Sequence, residues 1–212
     1  TFGKPEQVTE TIYSQLGNKT QSESSNNVQA KDDGVTHINI YSKGKTELGR
    51  LLSNFANTPF TINNNRFQSV ESWWYWTKMN NINSSQLVPK FTKEQLETVK
   101  KKVGDAAKSY FRSLETNKET TQFNPTKEQL KETYLQKIKE NSKVKELLLA
   151  NNLPFAHYYI MQGNKINAND YLWTADLWRE IKEELQPTAQ GTEQIYSQLG
   201  KETKSPNLVI SN

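Results

Sequence analysis

Phe60-Thr61-Ile62-Asn63-Asn64-Asn65-Arg66-Phe67-Gln68-Ser69-Val70-Glu71-Ser72-Trp73-Trp74-Tyr75-Trp76 is the stretch on which the fold class turns. Phe60-Thr61-Ile62 and Arg66-Phe67 flank three asparagines, and asparagine tolerates the left-handed backbone of a tight turn, so residues 59–67 read as a hairpin. Ser69 then stands where an N-cap belongs, its hydroxyl able to accept a free N–H from the first turn of a helix running through Trp76. Strand, turn, strand and capped helix in immediate succession mix strands and helices without the strict βαβ rhythm of a Rossmann sheet.

Upstream, Val35-Thr36-His37-Ile38-Asn39-Ile40-Tyr41 alternates apolar and polar residues, the period of a half-buried strand. Downstream, Thr92-Lys93-Glu94-Gln95 and Thr126-Lys127-Glu128-Gln129 are capping boxes, the second preceded by Pro125. The first opens a stripe of Leu96, Val99, Val103, Ala106 and Tyr110, which predicts one amphipathic helix across all five. Leu130, Tyr134 and Ile138, then Val144, Leu147 and Leu148, form a second, less regular stripe. Phe155-Ala156-His157-Tyr158-Tyr159-Ile160-Met161 reads as a strand, Gly163-Asn164 as a turn, and residues near 170–186 as a last helix that Pro187 cannot continue. The expected fold is α+β: one compact, mostly helical domain over 35–186 with a small sheet.

Polar extensions flank it at 1–34 and 187–212. Each carries one phrase, Ile12-Tyr13-Ser14-Gln15-Leu16-Gly17 and Ile195-Tyr196-Ser197-Gln198-Leu199-Gly200, 183 residues apart and too distant for a solenoid period. The twin phrases read either as a duplicated linker or as a docking or processing element able to mediate self-association. The chain begins at Thr1 rather than Met, as an excised module or a trimmed chain would.

Composition narrows the chemistry. The 212 residues are 33% hydrophobic and 24% charged, with a mean hydropathy of -0.87, and no apolar run approaches the roughly 20 residues of a membrane span. The first residues have neither a basic segment nor an apolar stretch, so no membrane association and no secretory leader are expected, and a cytoplasmic location is. Zero cysteines and two histidines exclude thiol catalysis, disulfide scaffolds and Cys-ligated metals, leaving carboxylates, aromatics and amides. A net charge of +4 mildly favours an anionic ligand, although a Lys- and Asn-rich composition accounts for it equally well. No Gly-rich phosphate loop, HExxH, GxSxG or acidic metal cluster occurs.

Glu71, Trp74 and Tyr75 share a helical face at i, i+3 and i+4, so a carboxylate would stand beside aromatic surface able to stack on a base and to raise its pKa by desolvation. The ordinary structural alternative is a first-turn Glu favoured by the helix dipole, with the tryptophans as core. Ser53 and Asn54 end a short helix, where they serve as a C-terminal cap or as polar contacts for a ligand. Lys45, Arg50, Lys108 and Arg112 are either solvated charges or a phosphate clamp. His157 sits among aromatics as a satisfied histidine or a ligand contact, and Trp173 packs the last helix or walls a pocket.

One ordered string of motifs is more specific: Tyr41-Ser42, Glu47-Leu48-Gly49-Arg50-Leu51-Leu52-Ser53-Asn54-Phe55, Thr58-Pro59-Phe60 and Phe67-Gln68-Ser69-Val70-Glu71-Ser72-Trp73-Trp74-Tyr75-Trp76. It resembles the NADAR (NAD- and ADP-ribose-associated) superfamily, known also from N-glycosidases acting on riboflavin-pathway intermediates. Gly104-Asp105-Ala106-Ala107-Lys108 with Arg112, Pro154-Phe155-Ala156-His157-Tyr158-Tyr159 and Tyr171-Leu172-Trp173 extend the resemblance more weakly over about 35–186. Phe111 stands where the family has Gly, and a Trp that some members carry has no counterpart near Phe123.

The resemblance implies a hydrolase of an N-glycosidic or ADP-ribosyl linkage, needing neither cofactor nor metal, with Glu71 as the essential carboxylate. Tyr41, Lys45, Arg50, Ser53, Asn54, Trp74, Lys108, Arg112, His157 and Trp173 would then hold the substrate. That substrate would be an ADP-ribosylated guanine, carried on DNA and left by a transferase toxin in a bacterial or phage-infected cell, or a phosphoribosylated pyrimidine. A nucleotide-binding module without turnover, or an assembly protein using the twin terminal phrases, are the readings from other classes.

Overall fold

In a computed structural model, residues 28–117 and 120–186 are described; the twin Ile-Tyr-Ser-Gln-Leu-Gly phrases and Pro187 lie outside them. The fold is a mixed α+β domain of seven α-helices and three separate two-stranded β pairs among these residues. The helices are α1 Glu47–Leu52, α2 Val70–Ser84, α3 Lys93–Lys100, α4 Asp105–Leu114, α5 Lys127–Glu140, α6 Ser142–Ala150 and α7 Trp173–Leu185. The strands are β1 Ile38–Asn39, β2 Phe60–Ile62, β3 Asn65–Phe67, β4 Phe155–Ala156, β5 Tyr158–Met161 and β6 Asn164–Asn167. The expected single small sheet is thus three pairs: β1 with β4 in parallel, β2 with β3 and β5 with β6 antiparallel.

Local chemistry places most boundaries. Thr46 caps α1, and Ser69, Thr92 and Thr126 cap α2, α3 and α5 with complete capping boxes. The β2–β3 hairpin turns on Asn63 and Asn64 at φ 49° and 60°, while Asn65, expected in the turn, pairs with Ile62 instead. Two successive left-handed residues make a turn whose twist matches that of the strands. The second hairpin turns on Gln162 and Gly163 at φ 50° and 80°, one residue earlier than the expected Gly163-Asn164 turn, so that Asn164 opens β6.

Two expectations fail for tertiary reasons. The alternation across 35–41 does not give a half-buried strand: His37 to Ile40 are all buried, Val35 is exposed, and only Ile38–Asn39 pair. Asn39 is tolerated inside because it bonds the Tyr158 N–H (3.0 Å) and C=O (3.1 Å), and its own N–H reaches the Asp33 carboxylate at 2.9 Å. Asp33 also accepts from Lys45 N at 2.8 Å, so the domain begins before residue 35 and takes in part of the N-terminal extension.

The stripe from Leu96 to Tyr110 does not lie on one helix either. Gly104, at φ 49°, breaks it into α3 and α4. A Cβ at Gly104 would lie 2.9 Å from Phe55 O, a contact real side chains do not make. After the break the buried residues of α4 are Ala107 and Phe111, while Ala106 faces solvent.

The core has two parts. Leu52, Phe60, Phe67, Trp73, Leu130, Tyr134, Leu148 and Trp178 centre the larger, which joins α1, the first hairpin, one face of α2, and α5 to α7. Met79, Ile82, Phe91, Val99, Ala107 and Phe111 form the smaller beneath α2, α3 and α4. Helix α2 belongs to both, so its remaining face looks into the space between them.

Gln162 occupies a left-handed position that lacks the local hydrogen bonding of asparagine. Gln162→Asn should stabilise the fold by about 0.5–1 kcal/mol, read as a higher midpoint in urea at unchanged slope. An unchanged or lower midpoint would refute this account of the turn.

Candidate active site

The space between the two cores is a cavity of about 810 Å³ reached by seven parts of the chain. The β1–α1 loop contributes Tyr41 and Lys43, the end of α1 contributes Ser53, Asn54 and Phe55, and α2 contributes Glu71, Trp74 and Tyr75. Helix α4 brings Asp105, Lys108 and Arg112, α5 brings Leu130 and Tyr134, the β4–β5 region His157 and Tyr159, and the start of α7 Tyr171 and Trp173. Of the eleven residues singled out from sequence, nine line this cavity: Tyr41, Ser53, Asn54, Glu71, Trp74, Lys108, Arg112, His157 and Trp173.

Lys45 and Arg50 do not. Lys45 Nζ donates to Lys31 O at 2.6 Å, and Arg50 donates to Gly44 O at 2.9 Å and Lys45 O at 2.8 Å. Both cations close the loop before α1 rather than facing a ligand. The Glu-Leu-Gly-Arg motif has a structural purpose here, since a Cβ at Gly49 would lie 2.2 Å from Asn39 O; the glycine lets α1 sit directly on β1.

The corner at the end of α1 is the most heavily bonded part of the cavity. Ser53 is the C-cap, and its hydroxyl accepts from Phe55 N at 3.2 Å. Asn54 O accepts from Glu71 N at 2.9 Å, which ties the corner to the first turn of α2. Asn54 Oδ1 accepts from the Tyr134 hydroxyl at 2.7 Å. Lys137, one turn further along α5 and completely buried, donates to Ser53 O at 3.1 Å. That ammonium has no ion pair among the described residues, and burial pushes its pKa down to about 7. Ser69 Oγ, the α2 cap, also accepts from Gly104 N at 3.2 Å, so α2 and α4 start from a shared point.

Glu71 lines the cavity half-buried among these elements, and desolvation raises its pKa to about 7, opposed by Lys108 and Arg112 and reinforced by Asp105. Its carboxyl is therefore poised to exchange a proton near neutrality. Lys108 and Arg112, one helical turn apart, make no ion pair among the described residues and are available to an anion. Tyr41 meets Tyr159 edge-on with ring centres 5.6 Å apart, and His157 meets Tyr159 at 5.2 Å. His157 Nδ1 lies 2.6 Å from Ile40 O, and since a carbonyl only accepts, that nitrogen carries the proton. Burial lowers the pKa of His157, which keeps Nε2 an acceptor. Trp173 is steadied by Nε1 donating to Asp170 O at 2.9 Å and by Lys127 over its ring.

Phe111 is held by packing. It stacks on Tyr75 at 4.9 Å and 27°, holding that ring against the cavity, and fills the smaller core. Phe123 packs in the same core and does not reach the cavity. Sequence reasoning did not single out Lys43, Tyr134, Tyr159 and Tyr171. Tyr134 sits in the apolar stripe of α5, where a phenol that serves a site looks like any core aromatic, and Tyr159 and Tyr171 owe their place to chain crossings.

Comparison with family models, curated proteins and solved structures returns no match for this chain. Among the described residues no helix is long and apolar enough to cross a membrane.

The raised pKa of Glu71 sets a sign. The unfolded chain releases this proton near 4.5 and the folded chain near 7, so the folding advantage of the protonated carboxyl is complete below 4.5 and lost as pH rises through 7. Glu71→Gln should raise Tm by about 2–6 °C at pH 8, the gain shrinking as pH falls toward 5. Calorimetry checks it, and a Tm lowered at pH 8 would show that the carboxylate is not held at a cost.

Proposed function

We propose that this chain hydrolyses an N-glycosidic or ADP-ribosyl linkage, with Glu71 as its essential carboxylate and an ADP-ribosylated guanine as its substrate class. The observation that carries this reading is Glu71 in the cavity wall, its carboxyl raised to about 7, sharing the cavity with Trp74 and Tyr75 and with the cations Lys108 and Arg112. A flat base, a ribose and an anionic phosphate need these three surroundings together. The ordered motif string resembling the NADAR superfamily supports the same class.

The bond that breaks joins the anomeric carbon to a base nitrogen, and its electron pair leaves with the base. Positive charge spreads over the anomeric carbon and ring oxygen, where an ionised Glu71 stabilises it electrostatically. Water forms the new C–O bond, its proton passing to Glu71 and then to solvent, while the departing nitrogen is protonated by water. Desolvation strengthens the attraction between carboxylate and cationic carbon, and near neutrality Glu71 both accepts and releases that proton. Aromatic walls hold the base by stacking, and Lys108 and Arg112 hold the phosphates.

The test is chromatography with mass spectrometry on an oligonucleotide bearing ADP-ribosylated guanine and on a panel of free nucleotides. Wild-type protein should release ADP-ribose, with kcat/KM rising through a midpoint near pH 7 as Glu71 ionises, and Glu71→Gln should be at least about 100-fold slower. Binding without turnover by both proteins would instead make the cavity a nucleotide reader, and the hydrolase reading would be wrong.

A second expectation separates binding from chemistry. Lys108→Ala and Arg112→Ala should each raise KM about 10-fold with kcat changed by less than about threefold, because contacts to a remote phosphate are equal in ground and transition states. Steady-state kinetics reads the split, and a loss confined to kcat would remove these residues from the phosphate.

A further inference from the structure

We propose that Tyr134 is a positioning residue that fixes the Asn54 side-chain amide with its oxygen turned away from the ligand and its NH2 toward it, so that the ligand atom met there is a hydrogen-bond acceptor. This deepens the hydrolase reading and rests on it. An asparagine amide is ambiguous by itself, since rotation by half a turn exchanges a donor for an acceptor. A phenol hydroxyl can donate or accept, and here the Tyr134 hydroxyl donates to Asn54 Oδ1 at 2.7 Å, which occupies the oxygen and leaves the NH2 for the cavity.

Each partner is held. The Tyr134 ring is 1% exposed and stacks on the fully buried Trp178 with centres 4.1 Å apart and planes at 15°, so the phenol has nowhere to move. Burial raises its pKa, so the hydroxyl keeps its proton at any working pH. On the other side, the Asn54 backbone is anchored by Glu71 N, and Lys137 secures Ser53 O before it. Asn54 Nδ2 has no partner among the described residues, and Asn54 lines the cavity beside Glu71.

Chemistry indicates which acceptor fits. The ribose ring oxygen loses electron density as the glycosidic bond opens, so a donor there would oppose the reaction. A carbonyl of the departing base gains negative charge at the same moment and draws the donor closer. The Asn54 amide therefore belongs on the base, and its benefit should fall on kcat more than on KM.

A double-mutant cycle in the full chain tests this, with Tyr134→Phe, Asn54→Ala and both together, measured as kcat and KM beside Glu71→Gln. Tyr134→Phe should lower kcat about 10-fold with KM nearly unchanged, and in the Asn54→Ala background it should cost less than about twofold. Losses that multiply would overturn the inference while leaving the hydrolase reading intact. If wild type turns over no substrate, that reading has failed, and the positioning role of Tyr134 is then decided by the ligand-free measurement alone.

A ligand-free measurement decides independently. The Asn54 side-chain NH2 pair in a proton–nitrogen correlation spectrum should shift or double in Tyr134→Phe, and an unchanged pair overturns the inference whatever the ligand. Should Tyr134→Phe fail to fold, Asn54→Asp presents an acceptor in place of the donor. It should lose about 100-fold in kcat/KM on the ADP-ribosylated guanine oligonucleotide, and retention within threefold would overturn the proposal.

Discussion

Three hydrogen bonds meet at the Ser53-Asn54 corner, and the cavity depends on them. Glu71 N–H, the Tyr134 hydroxyl and the Lys137 ammonium reach this dipeptide from α2 and α5, at 2.9, 2.7 and 3.1 Å. The close approach of Gly104 to Phe55 adds α4 to the same point. Three helices distant in sequence are thereby fixed against one short turn, and the carboxylate, the aromatic wall and the cations they carry come into a common space. A corner closed by side chains and backbone together is stiffer than apolar packing alone would make it, because hydrogen bonds constrain direction as well as distance.

Burying ionisable groups here opposes folding. Lys137 is fully buried and Glu71 half-buried in the cavity wall, and both have pKa values driven toward neutrality by desolvation, in opposite directions. They are not paired with each other: Lys137 meets a carbonyl, and Glu71 shares the cavity with Lys108 and Arg112, whose charges pull its pKa down. Leaving a half-buried carboxylate and a fully buried ammonium unpaired with each other is a costly arrangement for a purely structural core, which would be served better by hydrophobic residues of similar size. Lys137 donates one N–H to Ser53 O whether charged or neutral, so the corner stays closed on both sides of pH 7.

The departures from the sequence pattern come from competition between local and tertiary demands. One helix from Leu96 to Tyr110 would carry Asp105, Lys108 and Arg112 away from the corner, whereas the break at Gly104 redirects α4 so that these residues line the cavity. Phe111 supplies the volume that seats α4 on α2 and backs Tyr75. Lys45 and Arg50, basic and near the cavity in sequence, are consumed by the carbonyls of their own loop and of Lys31. Charge and proximity along the chain did not distinguish them from Lys108 and Arg112.

What the sequence determined by itself was local. Asparagine pairs and capping boxes are short-range chemistry, so the hairpin at 60–67, the starts of α2, α3 and α5, and the shared face of Glu71, Trp74 and Tyr75 could be read from spacing. What only the tertiary structure decided was which of two uses a residue serves. Asn39 is polar yet buried because Tyr158 satisfies it, Tyr134 lies in an apolar stripe yet gives its hydroxyl to Asn54, and His157 keeps one tautomer because Ile40 O lies beside it. The partner in each case is between 80 and 119 residues away, and no local pattern encodes a hydrogen bond across that separation.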